Sequence, residues 1–109
     1  MRTLKFIIND LILNRDPNCD FTKLIPGTEG YLKVEFDFNS IWNNCVKVVG
    51  FYSADGNKEY TPQILRDGKS CIIPYEVLKH SKFRIKVLGK SKTMKLCTQD
   101  IIIVQDGGR

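Results

Sequence analysis

The feature that most constrains the fold is an alternation of apolar and polar residues that recurs along the chain. Within Tyr31–Phe38, every second residue from the second position onward is apolar, and the positions between hold Lys33, Glu35 and Asp37. Lys82–Val87 repeats the pattern with basic residues on the polar side. Successive side chains of a β-strand point to opposite faces, so these segments predict strands with one buried face, whereas a helix would scatter the same residues around its circumference.

Further strands are predicted wherever β-branched and aromatic residues are enriched between turn signals. These segments are Thr3–Ile8, Val46–Ser53, Glu59–Leu65, Ser70–Ile73, Thr93–Leu96 and Ile101–Gln105. Good helix formers follow Pro74 and predict one short helical turn. Trp42 lies between two predicted strands and is expected to fill the core where they meet. Seven or eight short strands with little helix predict an all-β sandwich, with a small barrel as the alternative.

Two Asp-Gly pairs and one further glycine mark the predicted turns. Asp55-Gly56 and Asp67-Gly68 supply the positive φ angles that tight hairpins need, and Gly89 predicts a further turn. Hairpins of this kind make neighbouring strands antiparallel.

A chain of 109 residues has room for one hydrophobic core. Residues 1–105 are therefore predicted to form a single domain, and residues 106–109 a flexible C-terminal tail. Lys5, Asn9 and Asp10 interrupt the apolar residues at the N-terminus, and no segment approaches the about 18 apolar residues of a membrane span. Neither a signal peptide nor membrane insertion is expected.

The four cysteines are Cys19, Cys45, Cys71 and Cys97. Without a secretion signal, we expect reduced thiols that pack as small apolar groups. The chain has no Cys-x-x-Cys pair and a single histidine, so the sequence predicts neither a zinc site nor any other cofactor.

The sequence offers little that would serve catalysis. A nucleophile needs a base, commonly histidine, and His80 lies in a short polar segment that is expected to face solvent. Glu35 and Asp37 share a predicted strand face with a lysine, which is typical of a solvated sheet face rather than of an acid–base pair. The protein is therefore predicted not to be an enzyme, and a thiol reaction at Cys71 or Cys97 is the remaining enzymatic alternative.

Positive charge is concentrated in one part of the chain, whose formal net charge is +5. Between residues 69 and 95 there is one acid against eight basic residues, Lys69, Lys79, Lys82, Arg84, Lys86, Lys90, Lys92 and Lys95. The predicted binding face consists of Lys82, Arg84, Lys86, Lys90 and Lys92. It fits an acidic neighbouring subunit or an anionic polymer. Nucleic acid is a less favoured partner, for which Phe51, Tyr52 or Tyr60 would stack bases.

Five segments of the chain follow one another in a recognisable order. They are Trp42–Ser53, Cys71–Pro74, Pro74–Leu78, Phe83–Gly89 and Leu96–Val104. The series resembles small immunoglobulin-like modules in tail, baseplate and fibre-adaptor proteins of tailed bacteriophages. Those modules have a buried Cys-Ile-Pro-like step, a Pro-x-Glu-x-Leu turn and a Phe/Tyr-x-Val-x-Val-x-Gly strand. The chain has Cys97-Thr98-Gln99 where they have Thr-Thr-Asn, and the similarity covers roughly Leu32–Val104.

The resemblance implies a small antiparallel immunoglobulin-like β-sandwich that serves as a non-enzymatic structural or interaction module of a virion. Such a module docks to itself or to a larger tail or baseplate protein, and it is located in the virion, or in the host cytoplasm before assembly. The alternative is a phage-encoded regulatory binder that uses the basic face of Lys82, Arg84 and Lys86. Its target would be a host enzyme, a defence complex or nucleic acid.

Overall fold

A computed structural model describes residues 1–107 of the chain. Within them lie nine strands, β1 Arg2–Asn9, β2 Ile12–Arg15, β3 Leu32–Phe38, β4 Val46–Ser53, β5 Gln63–Ile64, β6 Ser70–Ile72, β7 Lys82–Lys90, β8 Lys95–Cys97 and β9 Ile101–Val104. A 3-10 turn spans Ser40–Trp42, and helix α1 spans Tyr75–Leu78. Of the predicted tail, Gly107 donates a backbone hydrogen bond to the Leu24 carbonyl oxygen at 2.9 Å. Gly108 and Arg109 lie outside the described residues.

The strands form two sheets, as the predicted all-β sandwich requires. Sheet A has the order β2-β1-β3-β6, and sheet B has the order β5-β4-β7-β8, with β9 also paired to β7. β3 pairs with β6 as strand B does with strand E of an immunoglobulin domain. β7 pairs with β4 on one side and with β8 and β9 on the other, as strand F does with strands C and G. The short helix α1 after Pro74 is also confirmed.

One strand pairing departs from the antiparallel pattern that the turns predicted. β1 and β3 are parallel, with Arg2 opposite Leu32 and Ile8 opposite Phe38. A parallel pair needs a long connection, which here is the segment between β2 and β3. The Arg2 guanidinium donates hydrogen bonds to three carbonyl oxygens of that segment, those of Asp20, Thr22 and Lys23. The side chain of β1's first residue therefore holds the crossover in place.

The core lies between the two sheets and is built by the alternation that the sequence shows. β1, β3 and β7 each bury alternate residues, which are Leu4, Phe6 and Ile8, then Leu32, Val34 and Phe36, then Phe83, Ile85 and Val87. Trp42 is fully buried, as predicted, and its indole N–H donates to the Asp10 carbonyl oxygen at 2.7 Å. Its ring also packs against Phe38, with 5.2 Å between ring centroids.

Two of the predicted turns have a different role in the structure. Gly89 lies inside β7 rather than in a turn. Glycine suits this position because the Trp42 ring occupies the space that a side chain would need. Gly68 has positive φ, as predicted, but its turn connects β5 of sheet B to β6 of sheet A. Of the three predicted glycine turns, the one at Gly56 does fold a strand back on its own sheet, through the bridge between Tyr52 and Glu59.

Two strand predictions also need correction. β2 was not predicted. The turn that precedes it contains Asp10 with positive φ, a conformation that Asp tolerates better than most residues, so this residue was the available turn signal. The predicted strand at Glu59–Leu65 is reduced to β5, directly after Pro62. Proline lacks the N–H group that a longer strand pairing would use.

The neighbour of β7 changes from β8 to β9 at Thr98. This buried residue donates its N–H to the Val87 carbonyl oxygen, and its hydroxyl accepts the Val87 N–H, both at 3.0 Å. A side-chain oxygen thus completes the hydrogen bonding where the chain leaves one strand and enters the next.

The adjacent Gln99 side chain bonds both backbone groups of Leu13 on β2, donating to the carbonyl at 2.7 Å and accepting from the N–H at 2.9 Å. This amide joins the edges of the two sheets.

Candidate functional site

The outward face of sheet B carries side chains in transverse rows, because residues directly opposite each other on antiparallel strands point to the same face. The strand registers place Ile64, Val48, Leu88 and Cys97 side by side on β5, β4, β7 and β8. We call these four residues the apolar row. On one side of it the next row holds Val46, Lys90 and Lys95, and on the other side lie Gly50 and Lys86.

Three residues of the apolar row, Val48, Leu88 and Cys97, line an open groove of about 990 Å³, and Ile64 lies beside it, opposite Val48. Apolar side chains in the groove and beside it are well exposed, because 62% of the Val46 surface, 53% of Ile64 and 36% of Leu88 are accessible to solvent. Pro62 and Leu96 add further apolar surface, and Asn44 and Ser91 lie at one end. Contiguous exposed apolar surface rimmed by polar groups is typical of interaction sites rather than of a solvated sheet face.

Tyr52 shapes the end of the groove opposite Asn44. A Cβ atom at Gly50 would lie 2.6 Å from the Tyr52 hydroxyl oxygen, so the phenol side chain lies across the bare backbone of that glycine. The Lys86 ammonium nitrogen lies 5.0 Å from the centre of the Tyr52 ring, within the range of a cation–π contact. Partial burial raises the pKa of Tyr52, while the Lys86 charge opposes that shift. The phenol is therefore neutral at ordinary pH and presents a hydroxyl at the groove edge.

The predicted basic residues share one face of the sheet but do not form one uniform patch. Lys82, Arg84, Lys86 and Lys90 alternate with buried residues along β7, and Lys92 follows in the turn to β8. Leu88 lies between Lys86 and Lys90 on this face of β7. Lys90 and Lys92 line the groove together with Lys95, which the predicted binding face did not include.

Arg84 already has structural partners. Its Nε–H donates to the Ala54 carbonyl oxygen at 2.7 Å, and its Nη1 lies 3.8 Å from a carboxylate oxygen of Asp100. The guanidinium therefore helps to fix the turn after β4. Lys82 lies at the far end of β7, opposite Val104. The cations that border the apolar row are Lys86 on one side and Lys90, Lys92 and Lys95 on the other.

The aromatic residues considered for stacking nucleic-acid bases are mostly inaccessible. Phe51 is fully buried in the core and Tyr60 is 5% exposed, so the expectation that these two rings stack bases is wrong. Tyr52 is half-buried beneath the Lys86 ammonium. The face therefore presents apolar aliphatic surface between cations rather than the stacking platforms of a single-strand binder.

The groups weighed for catalysis lie apart from the groove, with one exception. His80 is half-buried and stacked on Tyr60, with 5.5 Å between ring centres, and no described residue hydrogen-bonds its buried Nε2. The expectation that it faces solvent is therefore wrong. Glu35 and Asp37 lie outward on sheet A, alternating with the buried residues of β3, as predicted.

The four thiols are free, but only one lies in the groove. Burial raises the pKa of Cys71 to about 12, the opposite of what an activated nucleophile needs. Cys97 is exposed in the apolar row, and its thiol donates to the Thr98 carbonyl oxygen at 3.4 Å. Cys19 and Cys45 are half-buried.

Residues 1–107 bring together no group of three or more His, Cys, Asp or Glu side chains that would hold a metal ion. This part of the chain likewise contains no helix with the length and apolar character needed to cross a bilayer.

The groove was missed by the sequence reasoning because its residues come from three separate stretches of the chain, residues 44–52, 59–62 and 88–97. The available signal was the apolar residue at outward positions of predicted strands, notably Leu88 among the basic residues of β7 and Val46 and Val48 in β4.

Comparison with family models found no match, and neither a curated protein nor a solved structure proved similar to the chain. The resemblance to phage tail modules therefore rests on the residue series alone.

Proposed function

We propose that this protein is a non-enzymatic interaction module that docks another protein subunit onto the outward face of sheet B. The observation that supports this is the groove, where the apolar row lies exposed between cationic side chains. Leaving Val46, Ile64 and Leu88 in water costs free energy that burial against a partner would recover. Among the described residues, no constellation resembles an active site as clearly as this surface resembles a docking site.

The setting that we propose is a bacteriophage virion, with the protein attached to a tail, baseplate or fibre subunit. Its support is the resemblance to phage modules together with the sandwich fold. In this proposal the protein is present in the host cytoplasm until it assembles into the particle. A regulatory binder of a host enzyme would use the same surface, so the identity of the partner separates the two functions.

Co-purification from cells that express the protein natively tests both points. Three tagged forms are compared, the wild type, Leu88→Glu in the apolar row and Ile72→Glu on sheet A, where the replaced side chain is also exposed. Circular dichroism first verifies that the variants are folded. A partner retained by the wild type and Ile72→Glu but lost from Leu88→Glu supports docking at the groove.

The identity of that partner then separates the settings. A tail or baseplate protein supports the virion module, and a host enzyme supports the regulatory binder. A partner that all three forms retain equally would refute the assignment of docking to sheet B.

A further inference from the structure

We infer that the occupant of the groove is an acidic amphipathic helix of a partner protein. Its apolar stripe would lie along the apolar row, and its carboxylates would face the lysines on both sides. This inference rests on the proposed docking function and specifies the chemistry of the partner.

Charge is the first argument. Lys90, Lys92 and Lys95 line the groove, and Lys86 borders the apolar row on the other side. Glu59, beside Tyr52 at the end opposite Asn44, is the one acidic residue among those that line the groove, so cations outnumber acids on this surface. A partner with carboxylates at both margins would be attracted to this surface, and one with basic margins would be repelled. Charge of this kind selects among partners more than it adds to affinity.

The spacing of the rows favours a helix. Lys86 and Lys90 are four residues apart on β7, so they are separated by about 14 Å along the strand. An α-helix with its side chains is about 10–12 Å across, which fits between the two cationic margins. The apolar row crosses four strands and is therefore about 14 Å long, the length of about nine helical residues. Anchors at helical spacing would meet it as in other helix-in-groove complexes.

Other occupants fit the surface less well. A second copy of this chain would bring a net charge of +5 and the same lysines to the interface. The outward face of sheet A carries Lys5 and Lys33 beside Glu35 and Asp37, so it offers no net negative surface. A small apolar ligand would be left largely in water, because small-molecule sites normally enclose most of the ligand surface.

The test uses a display library of helical peptides with a fixed leucine stripe. The positions flanking the stripe are randomised among acidic, basic and neutral residues. The library is selected on the wild type and on two triple variants that change the net charge equally. The groove variant is Lys86→Glu, Lys90→Glu and Lys95→Glu, and the control variant is Lys5→Glu, Lys33→Glu and Lys69→Glu away from the groove.

Two results support the inference. Peptides selected on the wild type and on the control variant carry Asp and Glu at the flanks, whereas those selected on the groove variant carry Lys and Arg. A selected acidic peptide, once synthesised, binds the groove variant about tenfold more weakly or worse. It also protects the exposed thiol of Cys97 from maleimide.

Two other results would overturn it, and they have different consequences. Peptides that protect Cys97 but show no excess of acidic flanks remove the acidic partner and leave docking at the groove intact. If no peptide protects Cys97, docking at the groove fails as well. Anionic vesicles and a single-stranded oligonucleotide are included, and protection by either one alone would assign the groove to a membrane surface or to nucleic acid.

Discussion

Replacing Gly89 by alanine should destabilise the protein by about 1–3 kcal/mol, the usual cost of overpacking a core. The new Cβ atom would lie 2.7 and 2.8 Å from two ring carbons of Trp42, well inside the 3.5–4.0 Å at which carbon atoms normally pack. The ring has no room to retreat, because Trp42 is fully buried, hydrogen-bonded to Asp10 and packed on Phe38. Unfolding entropy scales with chain length, so for 109 residues each kcal/mol corresponds to about 4 °C. The melting temperature should fall by about 4–13 °C.

Gly50→Ala is the matched control on the neighbouring strand. Its Cβ atom would meet the Tyr52 hydroxyl at 2.6 Å, but this is the far end of a half-buried side chain that is able to swing toward solvent. We therefore expect a change within about 0.5 kcal/mol, or about 2 °C. Both glycines lie in strands without positive φ, so backbone strain does not separate the variants. Thermal and urea unfolding would measure both. If Gly89→Ala were as stable as Gly50→Ala, Trp42 would not be fixed as described.

Three further predictions concern other parts of the fold. Asp67 accepts hydrogen bonds from the Ser70 hydroxyl and from the backbone N–H groups of Lys69 and Ser70, which lower its pKa from 3.8 to about 2. The stability that the carboxylate contributes is therefore present above pH 3.8 and is lost as the pH falls through 2. In urea unfolding at a series of pH values, Asp67→Asn should be less stable than the wild type at pH 6, and the difference should shrink toward pH 2; a constant difference would exclude the charge as its cause. Gln99→Ala should lower the free energy of unfolding, measured in urea, by about 1–3 kcal/mol, because it leaves the N–H and the carbonyl of Leu13 without their partners. A decrease below about 0.5 kcal/mol would mean that water replaces the amide. In native-state thiol labelling at pH 8, followed by peptide mass spectrometry, Cys97 should react first because it is exposed. Cys71 should react about a thousandfold more slowly than a thiol of pKa 9, because burial raises its pKa to about 12. Equal labelling rates would contradict the burial of Cys71.

The parts of the fold that sequence could predict are those written in local alternation. β3 and β7 are predictable because the alternation that defines the buried face of each lies within one segment. β4 also has the predicted bounds of Val46–Ser53. The role of Gly89 was not predictable in this way. It depends on Trp42, a residue far away in the chain, and glycine within a strand is otherwise a fair turn signal.

The parallel pair of β1 and β3 lay beyond sequence reasoning for a similar reason. The turn after β1 does make a hairpin with β2, as local rules require. What brings β3 alongside β1 is the connection that Arg2 holds by its three carbonyl hydrogen bonds. Nothing in the neighbourhood of Arg2 in the sequence indicates those partners.

The groove shows how strand register changes the meaning of a charge pattern. Along β7 the outward positions are basic except for Leu88 and, taken alone, this strand is typical of a solvated face that carries lysine for solubility. The register sets Leu88 between Val48 and Cys97, whereas Lys90 stands between Val46 and Lys95. Apolar side chains therefore continue across the strands while the lysines border them. In the docking that we propose, the same basic residues would act less as a binding patch in themselves than as margins that restrict which apolar partner approaches.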